Sequence, residues 1–129
     1  MTIQAVYDSF AKQRFMSTLG ARLTKVDSGE VEIELPFRAE LTQQTGTLHA
    51  GVISAIADSA CGYAALSIMP EGAEVLSVEF KLNLLSPAKH DLFARAGIIR
   101  AGNTLTVTKC DVWSTEVQVA TMIATMIRR

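Results

Sequence analysis

Cysteine, proline, aromatic residues and net charge are all scarce in this chain, and each shortage removes a class of protein. Two cysteines, Cys61 and Cys110, in 129 residues are too few for a disulfide framework and lack metal-ligand spacing, so no metal site is expected and both are read as small buried apolar groups. Twelve Lys and Arg against thirteen Asp and Glu leave a net charge of -1. The basic residues are dispersed, without the footprint of a nucleic-acid or membrane-surface binder. No run of about 20 apolar residues is available to span a bilayer. The opening MTIQAVYDSFAKQRF breaks its apolar positions with Gln, Asp, Lys and Arg, unlike a secretory signal, and a cytoplasmic location is expected.

What is plentiful is hydrophobic residue, 49% of the chain, enough for one domain over residues 1–129. Ile3, Val6, Tyr7 and Phe10 fall at helical spacing and predict a helical cover over residues 1–17. Val31, Ile33 and Leu35 alternate with Glu32 and Glu34 in a half-exposed strand, preceded by a turn at Asp27-Ser28-Gly29. From His49 to Met69 the alternation vanishes. This stretch is rich in Ala, Gly and Ser, is closed by Pro70 and Gly72, and predicts one long buried helix.

After the helix, Leu76, Val78, Phe80, Leu82 and Leu84 are expected to point one way and Ser77, Glu79, Lys81 and Asn83 the other. Strands follow over Leu92–Ile98, from Thr104, and over Val117–Ile127. Leu105 and Val107 differ in parity from Cys110 and Val112, which predicts a bulge near Thr108-Lys109. The last strand is apolar on both faces, a hint of assembly. The class is α+β, a long antiparallel sheet curved around one central helix.

Two features of that helix carry chemistry. Amides just after His49 lie at the positive end of the helix dipole without intrahelical acceptors, suited to developing negative charge. Asp58 is the one carboxylate in an apolar run, where a poorly solvated anion gains basicity as a general base or nucleophile.

The element order, with Gly46-Thr47-Leu48-His49-Ala50-Gly51 leading into Ala57-Asp58-Ser59-Ala60 and later Leu84-Leu85-Ser86-Pro87-Ala88, resembles the hotdog-fold acyl-CoA thioesterases of the phenylacetate-pathway and 4-hydroxybenzoyl-CoA type. The likeness covers roughly residues 18–128. It implies hydrolysis of an acyl-CoA without a cofactor, coenzyme A being part of the substrate. The Ala50 amide, where the family usually has glycine, becomes the oxyanion donor, and Asp58 the base or nucleophile. His49 orders the loop or transfers a proton. Gln43 matches an amide that orients the thioester or the nucleophile, and Ser77 a serine that positions water. Gly51, Lys81, Arg100 and Asn103 are the candidate substrate-binding residues, the cations for the CoA phosphates, with Lys109 a further candidate; relatives often carry a basic residue where Asn103 stands.

Eight residues of helix put Ala50 and Asp58 ~12 Å apart, too far for one thioester to meet both. The geometry therefore predicts a two-fold dimer with composite sites, and the apolar last strand favours a dimer of dimers. The competing reading is a non-catalytic acyl-CoA-binding hotdog module.

Overall fold

Local chemistry decides where the elements begin and end in the computed structural model, which describes residues 1–129. Thr2 caps α1 (Ile3–Ala11) by accepting the Ala5 amide at 3.1 Å, and the chain turns at Lys12 and Gln13 before α2 (Arg14–Leu19). The expected cover is thus two helices and extends beyond residue 17. One continuous helix would put Leu19 about 220° round the axis from Val6. The break lets Val6, Met16 and Leu19 all bury.

Strands β1 (Arg22–Asp27) and β2 (Glu30–Leu35) are joined through Gly29, whose φ of 81° suits glycine and where a Cβ would lie 3.1 Å from the Ile98 side chain. In β2, Val31, Ile33 and Leu35 are fully buried, as their alternation predicts. The long helix is α3 (Ala50–Ser67), followed by β3 (Val75–Leu84), β4 (Leu92–Ala101), β5 (Leu105–Ser114) and β6 (Val117–Arg128). All pairings are antiparallel, in the order β1-β2-β4-β5-β6-β3. Helix α3 packs against one face, touching every strand, while α1 covers β1 and part of α3. This is the α+β hotdog arrangement. Its core joins Ile56, Ala60 and Ala64 of the helix to Ile33, Val112 and Met122 of the sheet, and full burial of a side chain such as Ile56 is worth about 1.5–3 kcal/mol.

Strand β3 departs from its expected phase. Ser77 pairs with Met126 and Glu79 with Thr125, so the strand carries one extra residue, Val78, against β6. The bulge puts Ser77 on the helix side with Phe80, Leu82 and Leu84, and Leu76 on the outer face opposite Ile127. It is also an edge strand. On its helix side Phe80 and Leu84 stay 44% and 52% exposed because the single helix does not reach over them, and Leu76 and Val78 are exposed as well.

The bulge expected in β5 near Thr108-Lys109 lies in its neighbour instead: Ile98 pairs with Thr108 and Arg100 with Val107, so β4 carries the extra residue, Ile99, while β5 runs past β6 there without a shift. Thr106 and Thr108 stand in the core, Thr108 donating to the Ala124 carbonyl at 3.4 Å, whereas Leu105 and Val107 face outward. A satisfied hydroxyl at a core position had made the hydrophobic pattern look broken. Cys61 and Cys110 are both buried and free. Hydrogen bonding with Cys61, then burial, pushes the Cys110 thiol well above its ordinary value, as suits inert interior thiols.

Thr115, in the turn between β5 and β6, has φ 56°, a left-handed conformation costing a β-branched residue roughly 1–2 kcal/mol. Thr115→Asn, which tolerates that region, is expected to raise Tm by a few degrees. A lower Tm in a thermal melt would instead show that the Thr115 Oγ1 bond to the Ser114 carbonyl, 2.6 Å, outweighs the strain.

Candidate active site

The start of α3 is built around His49. Its backbone N–H donates to Leu41 O at 2.9 Å, as the Leu48 N–H does to Ala88 O, and its Nδ1 accepts the Gly51 amide at 2.7 Å. With Nδ1 so engaged, only Nε2 is left to act, and the ring caps the helix. A Cβ on Gly51 would lie 2.9 Å from that Nδ1, so glycine makes room for the cap. Ala50 is exposed and its N–H has no acceptor within the chain.

Gln43 braces the loop leading into this turn. Its Nε2 donates to Thr47 Oγ1 at 2.9 Å, and its Oε1 accepts from Thr45 N and, at 2.7 Å, from Thr45 Oγ1. Gln43, His49 and Ala50 face one cavity of about 480 Å³, closed opposite by Leu84–Ala88.

Asp58 faces another. It is half-buried rather than sunk in apolar surroundings, because the helix leaves one stripe open and the cavity there, about 370 Å³, also has polar walls: Gln13, Ser59, Tyr63 and Glu74. Ser77 Oγ donates to Asp58 Oδ1 at 2.6 Å and lies 3.5 Å from Met126 Sδ. The β3 bulge makes that contact possible.

The predicted residues therefore fall into two groups on one chain, Gln43, His49, Ala50 and Gly51 at the helix start and Asp58 with Ser77 two turns on. The expected CoA-binding cations reach neither cavity. Lys81 and Lys109 flank Ile123 on the face of the sheet opposite α3, and Arg100, beyond an irregularity in β4, lies on that same face opposite Val107. Asn103 is exposed in the β4–β5 turn. Strand parity sets these placements, and a charge-based reading does not resolve it.

Residues near Asp58 that sequence reasoning did not single out are Ser9, Gln13 and Ser59. Gln13 donates from Nε2 to Tyr63 Oη at 3.0 Å and accepts from Ser59 Oγ at 3.0 Å, with Ser9 Oγ 3.3 Å from the same phenol oxygen. Only Ser59, beside Asp58 on the helix, was within reach of a local pattern.

Residues 45–121 match the Thioesterase superfamily. Human acyl-coenzyme A thioesterase 13 is 29% identical over 114 residues, 85% of this chain and 81% of that protein. The crystal structure of a thioesterase family protein from Silicibacter pomeroyi superposes with a TM-score of 0.93 at 47% identity, covering 97% of this chain and 96% of that one. The PaaI protein from the phenylacetic acid degradation operon of E. coli gives 0.91 at 19% identity over 98% and 91% of the two chains, a likeness of fold.

Proposed function

The chain belongs to the thioesterase superfamily and is a thioester hydrolase; on that premise we propose that it cleaves an acyl-CoA to free acid and CoA in sites shared between two copies of itself. The carrying observation is the division of the reactive groups: an unpartnered Ala50 N–H and the Asp58 carboxylate open into separate cavities, ~12 Å apart along one helix. A reacting carbon must come within about 3–3.5 Å of its nucleophile. In a two-fold pair each Ala50 faces the other copy's Asp58. The uncovered β3 edge supports such pairing, and the exposed outer-face Leu105 and Ile123 support two dimers stacking.

Asp58 Oδ1 is held by Ser77, which leaves Oδ2 for a water. As the water oxygen bonds to the thioester carbon, its proton passes to Asp58 and the carbonyl π electrons move onto the carbonyl oxygen, to which the Ala50 N–H donates a hydrogen bond. Collapse breaks the C–S bond, and the thiolate recovers the proton from Asp58. His49 and Gln43 touch no reacting atom in this scheme; they hold Ala50 in place. Arg100, Asn103 or Lys81 would meet CoA phosphates only where the second copy brings their face near a site mouth.

The test is free-thiol release from a panel of short, medium, long and aromatic acyl-CoAs. Turnover of at least one supports the reading; binding of acyl-CoA with no turnover across the panel would favour the non-catalytic module. Ser77→Ala is expected to lower kcat about ten- to hundredfold with KM little changed, since a hydrogen bond to a charged group is worth about 1.5–3 kcal/mol. An unchanged kcat would remove Ser77 from the positioning of Asp58.

A further inference from the structure

Part of the wall of the cavity beside Asp58 comes from far away in the chain. Gln13, at the break between α1 and α2, is half-buried and has both ends of its amide engaged by α3, at Ser59 and Tyr63. Tyr63 is 7% exposed, is held also by Ser9, and packs edge-on against Phe10 with ring centroids 5.5 Å apart. The amide cannot swing aside without breaking two hydrogen bonds.

The walls also indicate which end of a substrate enters. This chain lines the cavity with no lysine, arginine or histidine but with both Asp58 and Glu74, walls that repel polyphosphate. A volume of about 370 Å³ lies at the small end of ligand pockets. The acyl group fits these terms and the nucleotide of CoA does not.

We propose that Gln13 is the stop that limits how far an acyl group extends past Asp58, making this chain selective for acyl groups short enough to end at that amide. This rests on the acyl-CoA reading above. The stop acts by bulk: a chain one methylene too long must displace an amide fixed at both ends, and discrimination at such a wall runs to about tenfold or more per methylene.

The test compares Gln13→Ala with Gln13→Met. Both lose the same two hydrogen bonds, but methionine keeps the volume, so any loosening of the N-terminal helices is common to both, and thermal melts verify that each folds. Saturated acyl-CoAs from butanoyl to hexadecanoyl are assayed for kcat/KM. In parallel, the matching non-hydrolysable S-alkyl-CoA thioethers are titrated for Kd. Gln13→Ala is expected to raise the long-to-short ratio about tenfold or more and move the thioether cutoff to longer chains, with Gln13→Met close to wild type. An unchanged profile in Gln13→Ala, or equal shifts in both variants, overturns the proposal. If no acyl-CoA is turned over, the hydrolase reading falls by itself and the thioether cutoff still decides; failure of every thioether to bind overturns the stop as well.

Discussion

Asp58→Asn is expected to lower kcat/KM for acyl-CoA by about two to four orders of magnitude, the range that a positioned general base supplies. Asparagine has nearly the same shape and can still accept the Ser77 hydroxyl through its amide oxygen. What changes is the second position, where an N–H₂ now faces the water that should lose a proton. Because Asp58 is half-exposed and makes no ion pair, Tm should stay near that of the wild type, separating a chemical defect from a folding one. Rates equal to wild type would eliminate the carboxylate from the reaction.

Ala50→Pro is the matching test of the anion-binding half, and the local backbone makes it an unusually clean one. Ala50 is the first helical residue, where proline is favoured, because its fixed φ suits the helix and the missing N–H has no intrahelical acceptor. His49 before it already has φ -64° and ψ 140°, the extended region that a following proline requires. The substitution therefore deletes one donor and little else, and kcat is expected to fall by about two to three orders of magnitude. Mixing the two defective chains adds a stricter check. A heterodimer of Ala50→Pro with Asp58→Asn holds one doubly damaged site and one intact site. Random pairing of co-expressed chains should thus restore about a quarter of wild-type activity if the sites are shared across the two-fold. No recovery would mean that each chain works alone.

Much of the fold was legible because its signals are local. The helix from His49 needs only composition, a cap and the closing Pro70; β2 needs only its alternation. The misread parts depend on partners distant in sequence. Nothing in Leu76-Ser77-Val78-Glu79 announces an extra residue, since the bulge exists only relative to β6, and one residue reverses every face before it. Ser77 was identified by likeness to known thioesterases while being assigned to the wrong side of its strand. In β5, hydrophobicity failed as a guide because Thr106 and Thr108 are buried while Leu105 is exposed. Gln13 reaches α3 across 46 and 50 residues of chain, and no periodicity encodes such a contact. Asp58 was visible as an isolated acid, but its half-open surroundings come from the stripe that β3 and the N-terminal helices leave uncovered.

The uncovered rim of β3 has a consequence for handling the protein. A ten-residue strand with one neighbour, bordered by oily side chains, is a template for whatever extended segment meets it. In the proposed shared-site pair, dilution or mild urea that parts the two copies would erase turnover and expose a sticky border at once, so colloidal loss and inactivation should share one concentration dependence.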